Sequence, residues 1–184
     1  STPTPIRTLD SCILRACVPK HKEKVKIMIE HPIPPVFNEH SNILILGSFP
    51  SVQSRDTGFF YGHPKNRFWR VLAAVFEDKI PQTIAEKQDF LLRHHVALWD
   101  VIASCDIVGS SDSSIRNVVP NDLTFLLEKA PIRHIYVNGQ KAYSLYRRYL
   151  ELVTGRNALC LPSTSPANAR WGLEQLIAAW KIIL

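Results

Sequence analysis

At 184 residues, 46% apolar and 21% charged, the chain is long enough for one well-buried domain and too short for two comfortable ones. No apolar run nears the roughly 20 residues that span a bilayer, and residues 1–27 are interrupted by charge throughout. The expectation is therefore a soluble cytoplasmic protein with no membrane partner, nucleoid-associated if bacterial. The formal charge of +6 is unevenly placed: residues 1–27 hold six Lys/Arg against Asp10 and Glu23, while residues 28–184 hold 16 basic and 14 acidic residues. Global basicity says little about nucleic acid; local clustering has to carry that argument.

In chain order, residues 1–27 read as a poorly ordered extension, and residues 28–184 as one domain that opens at Met28, the only methionine. HPIPPVF is proline-stiffened and extended, suited to wrapping a domain edge. NILILGS is a short apolar run stopped by Gly47, which predicts a buried strand; HVALWDVI, IRHIYVNG and NALCLPS have the same form. Helical patterns lie between and after them: PKNRFWRVLAAVFE, TIAEKQDFLLRHH, NDLTFLLEKA, QKAYSLYRRYLE and NARWGLEQLIAAWKIIL. Buried strands alternating with helices predict an α/β fold, a three-layer α-β-α arrangement around a mostly parallel four-stranded sheet. Ligands bind such folds at the carboxyl ends of the strands. The segments there are GSFPSVQS, ASCDIVGSSDSS, NGQKAY and PSTSPANA, all rich in small hydrogen-bonding residues.

The cysteines at 12, 17, 105 and 160 form no C-x-x-C pair, and the histidines show no H-E-x-x-H spacing. Free thiols, no metal and no cofactor are expected. GSFPSVQS is not a Walker loop, and no G-x-S-x-G elbow is present.

Pro64 suits a first helical position, which would put Lys65, Asn66 and Arg67 in the first turn with Arg70 just behind. Cations there oppose the helix macrodipole, and Glu77 and Asp78 oppose it at the other end. Either the basic end is simply solvated, or an anion such as phosphate meets the helix start. Phe59, Phe60 and Tyr61 precede it in a polar loop; two of the three can anchor that loop, leaving one ring to stack on a nucleobase. In LPSTSPANAR, Ser165-Pro166 reads as a cap and first-turn proline. Ser163, Thr164, Ser165 and Asn168 are donors able to contact phosphates, and Pro166-Ala167 is a compact apolar tip.

GSFPSVQSRDTGFFYGHPKNRFW resembles the first active-site motif of the uracil-DNA glycosylase superfamily. With GSFPS, FYGHPKNRFW and LPSTSPANA together, it is most similar to the hypoxanthine-DNA (deoxyinosine) glycosylase branch, a relative of the mismatch-specific uracil/thymine branch. The resemblance implies a monofunctional glycosylase that flips a deaminated base, hypoxanthine first, out of double-stranded DNA and hydrolyses its N-glycosidic bond. Single-stranded DNA is a further possible substrate, and a monomer is the simplest state. It implies a pocket of Gly47, Ser48 and Phe49 with Tyr61 as the stacking ring, and Asp100, Ser114 and Asn117 as readers of the base edge. Ser51, Lys65, Arg67 and Arg70 would face DNA, Ser163 and Ser165 would pinch phosphate, and Pro166-Ala167 would wedge the minor groove. Phe49 stands where the mismatch branch has a water-positioning asparagine, so Asn66 becomes the leading catalytic candidate. The alternative is that Asn66 caps the helix or braces a loop. The other readings are a uracil/thymine mismatch glycosylase and a non-catalytic nucleic-acid-binding relative.

Overall fold

The computed structural model describes residues 28–184; the extension expected over 1–27, with Cys12 and Cys17, lies outside them. Four parallel strands form the centre: β2 (Ile43–Gly47), β3 (Val96–Asp100), β6 (His134–Asn138) and β7 (Ala158–Leu161). Their order is β3-β2-β6-β7, and every adjacent pair is parallel. These are the four strands expected from the apolar runs. β2 and β3 are buried at every residue, as a sheet covered on both faces requires.

The helices are α1 (Val52–Thr57), α2 (Phe68–Val75), α3 (Ile84–Arg93), α4 (Thr124–Lys129), α5 (Gln140–Tyr149), α6 (Glu151–Thr154) and α7 (Leu173–Trp180). They complete a three-layer α-β-α fold. α3 starts on a reciprocal cap, in which Thr83 Oγ1 accepts from the Glu86 N–H and Glu86 returns a bond to the Thr83 N–H. α2 and α7 pack together, with the buried rings of Phe68 and Trp180 edge to face at 5.9 Å.

Besides α1, which no helical pattern announced, three features differ from expectation. A second, antiparallel sheet joins β1 (Met28–Glu30), β4 (Ile102–Asp106) and β5 (Arg116–Pro120) in the order β1-β4-β5. Its strands are short and none holds more than two consecutive apolar residues, so they carry no apolar run. α2 begins at Phe68 instead of Pro64, because residues 63–66 form a turn closed by the Asn66 N–H donating to the His63 carbonyl at 2.9 Å. Pro64 takes the second position of that turn, which its ring geometry suits equally well. Ser165-Pro166 also opens a turn, closed by the Asn168 N–H on the Ser165 carbonyl at 3.0 Å; α7 starts later, after Gly172.

β2 has its successor β3 on one side and β6 on the other, so the winding reverses beside it. That switch point is where a doubly wound sheet leaves a crevice.

Candidate active site

A cavity of about 340 Å³ lies at that crevice, in the size range of small-molecule sites. The segment after β2 contributes Gly47 to Ser51, β3 ends in it with Asp100, β6 with Asn138, and the loop after β7 adds Ser163 to Ala167. Tyr61, His63 and Asn66 close it from the segment before α2, and Asp112 lines it from the loop between β4 and β5. Among the described residues, no hydrogen bond takes the N–H of Ser48 or Phe49, because the chain leaves the sheet ladder after Gly47. Those two donors are open to a ligand.

Of the three consecutive aromatics, Phe59 and Phe60 are buried, and both Phe60 and Tyr61 line the cavity, Tyr61 being the less buried of the two. Tyr61 has φ of 53°, a left-handed conformation uncommon for a bulky residue and costing on the order of 1–3 kcal/mol. Its ring stacks on Phe68 at 3.9 Å, and its hydroxyl is buried with no hydrogen-bond partner. Burial first, then the charge of Asp100, raises its phenol far above the tyrosine range, against a lowering effect of the Asn138 amide, which lies near the hydroxyl but outside hydrogen-bond geometry. Phe49 is buried, edge-on to the His31 ring at 5.8 Å and under the Arg55 guanidinium.

Asn66 is held from two sides. Its Oδ1 accepts from the Phe68 N–H at 2.9 Å, satisfying the first donor of α2, and from Thr164 Oγ1 at 2.9 Å. Thr164, wholly buried, accepts in turn from Asn138 Nδ2 at 3.0 Å, and Asn138 Oδ1 takes the Thr164 N–H at 3.1 Å. Both lone pairs of the Asn66 oxygen are thus committed, and only Nδ2 remains for chemistry in the cavity. Bracing thus occupies the oxygen of this side chain and leaves its nitrogen facing the cavity unassigned.

Asp100 is buried, and its Oδ2 is 2.8 Å from His31 Nε2. Asp112 is an exposed residue whose carboxylate lines the cavity and accepts from Ser48 Oγ at 3.2 Å. Its carboxyl is raised, by desolvation first and also by the charge of Asp100, against the lowering effects of Ser48 and Lys141.

Other expected residues are placed differently. Arg67 is half-buried and turned inward: its guanidinium donates to the carbonyls of Thr164, Ser165, Asn168 and Trp171. A guanidinium committed to four carbonyls has little left for phosphate. Thr164 has no exposure to offer DNA. Ser114 staples its own loop through the Val108 N–H and the Ser111 carbonyl, and Asn117 donates to Asp106 Oδ2 at 2.6 Å in the small sheet. Neither lines the cavity. Lys65 and Arg70 are exposed, with no side-chain partner among the described residues. Ser51 lines the cavity and caps α1, its Oγ accepting from the Ser54 N–H at 3.1 Å. Ser163 Oγ accepts from the Ser165 N–H, Ser165 Oγ from the Ala167 N–H, and Asn168 Nδ2 donates to the Ser163 carbonyl. That self-braced turn presents Pro166 and Ala167, both exposed, at the mouth.

The sequence pattern of the Uracil DNA glycosylase superfamily matches residues 34–183, which span every element of the cavity. The chain belongs to this superfamily. It is 37% identical to a protein of Methanosarcina acetivorans named hypoxanthine DNA glycosylase, over 78% of this chain and 91% of that one. A Methanosarcina barkeri protein of the same name is 34% identical, over 83% and 96% respectively. The solution NMR structure of a candidate uracil DNA glycosylase from Methanosarcina acetivorans superposes with a TM-score of 0.71 at 32% identity, covering 85% of this chain and 99% of that one.

Within this superfamily member, sequence reasoning missed His31, His63, Asp112 and Asn138 as site residues. Asp112 and Asn138 lay in segments already placed at strand ends, so a search for acceptors there would have found them. His31 had no signal, since its partner Asp100 is 69 positions away. Cys105 is not a candidate nucleophile: burial pushes its thiol up to about 11. No group of metal-ligating side chains occurs among the described residues. No helix there is long and apolar enough to cross a membrane.

Proposed function

We propose that residues 28–184 form a glycosylase domain of base-excision repair. It flips a deaminated base, hypoxanthine foremost, and hydrolyses the N-glycosidic bond to leave an abasic site. The observation that carries this reading is the match along nine-tenths or more of two relatives named hypoxanthine DNA glycosylase. The cavity is consistent with it: open backbone donors at Ser48 and Phe49, an aromatic ring at Tyr61, and a side-chain amide at Asn66. The substrate in this reading is double-stranded DNA bound by a monomer, with single strands a further possibility.

Cleavage sends the bond's electron pair onto the departing base and leaves an oxocarbenium-like sugar, which water then captures. In this scheme Asn66 Nδ2 donates to the base as it gains negative charge. Water requires an acceptor, which the Asn66 oxygen cannot supply and Phe49 lacks. Asp112 is assigned that role: it takes the water's proton as the oxygen bonds to the sugar carbon. Lys65 and Arg70 supply phosphate contacts, and Pro166-Ala167 fills the space the flipped nucleotide leaves.

The test is a panel of duplexes carrying inosine, uracil or a G·T mismatch, read as alkali-labile breaks. Inosine should be cleaved fastest. The solved neighbour described as a candidate uracil enzyme favours uracil as the second substrate. Salt-dependent DNA binding with no cleavage of any lesion would overturn the enzymatic reading.

A further inference from the structure

The small antiparallel sheet is a mount for Asp100. β1 pairs with β4, and the His31 N–H extends that pairing by donating to the Ala103 carbonyl at 2.7 Å. From the β5 side, buried Asn121 donates through Nδ2 to the Asp100 carbonyl at 2.8 Å. The His31 ring is buried against Phe49, Phe60 and Trp99, and its Nδ1 accepts from the Ile33 N–H at 3.2 Å. A nitrogen that accepts a hydrogen bond carries no proton, so the ring proton is on Nε2 and is donated to Asp100 Oδ2.

That leaves Asp100 Oδ1. Among the described residues it has no hydrogen-bond partner, and Asp100 lines the cavity. It lies 2.3 Å from where a side-chain carbon on Gly47 would sit, and the partnerless Tyr61 hydroxyl lies 3.0 Å from the same point. Glycine at 47 makes room for Asp100 Oδ1, which any side-chain carbon there would displace, and leaves that acceptor and the Tyr61 hydroxyl close to one another. A buried polar atom without a partner is rare, and among the described residues the Tyr61 hydroxyl is one; beside the free Asp100 Oδ1 on the cavity wall, it points to a ligand edge that carries both an acceptor and a donor.

We propose that His31 is a positioning residue for base selection: it holds one oxygen of Asp100, making the other a fixed acceptor that reads a ring N–H. A deaminated base presents such an N–H beside a carbonyl, and the carbonyl matches the Tyr61 hydroxyl. Adenine and unsubstituted purine present a lone pair at the same ring position, which faces Asp100 Oδ1 repulsively. This deepens the glycosylase reading and rests on it for the identity of the base.

The test uses free bases, so that it does not depend on turnover. Binding of hypoxanthine, adenine and unsubstituted purine to the full chain is measured by ligand-observed NMR. Wild type should favour hypoxanthine by about tenfold or more, the scale of one buried hydrogen bond gained or lost. In Asp100→Asn, the His31 N–H takes the amide oxygen and turns the amide NH₂ toward the cavity, so the preference should invert toward purine. His31→Gln, which keeps a donor, should retain the wild-type order; His31→Leu should flatten it. A long-range ¹H–¹⁵N spectrum of wild type should show His31 protonated at Nε2 alone.

Equal weakening of all three bases in Asp100→Asn, no preference in wild type, or a His31 proton on Nδ1 would each overturn the proposal. Absence of cleavage on every lesion would instead sink the glycosylase reading, and the free-base order would still decide the role of His31.

Discussion

Thr164 Oγ1 donates to Asn66 Oδ1 at 2.9 Å across 98 positions of sequence, tying the loop after β7 to the start of α2. The bond makes two segments of the cavity wall one unit, with Asn138 at the end of β6 as its anchor. Thr164→Val keeps the shape and removes the hydroxyl, leaving two polar atoms short of a partner. The expected cost is about 1–3 kcal/mol of stability, with inosine excision slowed tenfold or more as Asn66 loosens. Urea unfolding and single-turnover cleavage check this, and Thr164→Ser should recover both.

Asn66→Asp separates the two jobs of that side chain. A carboxylate still accepts from Phe68 and Thr164, so the cap survives and the protein should unfold within about 1 kcal/mol of wild type. The Nδ2 donor is gone, and a negative charge faces the departing base anion. Excision should fall at least 100-fold, a loss on the scale of removing one transition-state donor. Full activity in this variant would remove Asn66 from leaving-group stabilisation.

Asp112 makes a pH-dependent contribution whose sign follows from its environment. Its folded-state carboxyl is raised, chiefly by desolvation, so the folded protein binds this proton more tightly than the unfolded chain does. Stability from this group is therefore present at low pH and lost as pH rises through its raised value. Asp112→Asn should raise the melting temperature relative to wild type at pH 8 more than at pH 4. Its excision rate should nonetheless drop, and a variant as active as wild type would free the water-binding role for another group.

Salt dependence distinguishes cations that face DNA from one that faces the protein. Lys65→Ala and Arg70→Ala should each lower the slope of log affinity against log salt by about 0.9, one phosphate contact apiece. Arg67→Lys should leave that slope unchanged while lowering stability, because an ammonium cannot serve the carbonyls of Thr164, Ser165, Asn168 and Trp171 together. A slope change in Arg67→Lys equal to the other two would restore it as a phosphate ligand.

The central sheet was legible because burial on both faces writes itself as apolar runs: Ile43 to Leu46 and Val96 to Trp99 could be little else. The start of α2 was not, because His63-Pro64 suits a turn as well as a helix entry, and the Asn66 side chain decides between them. The small sheet escaped notice because its strands are brief and mix apolar with polar residues, with no sustained apolar run. The resemblance implied Ser114 and Asn117 at the base edge, yet bonds within the β4–β5 loop and the small sheet hold both away from the cavity.

Residue types and their order along the chain determined the layered fold, the strand ends where a site could form, and the motifs GSFPS, HPKNRFW and PSTSPANA. Those properties are local, written in periodicity and turn chemistry within a few residues. Which lone pairs are free, which cation is spent on carbonyls and which carboxylate faces the cavity were decided only by tertiary structure. Each depends on a partner between 64 and 104 positions away, brought close by the sheet. A hydrogen bond depends on distance and direction in space, and the chain alone specifies neither at that separation.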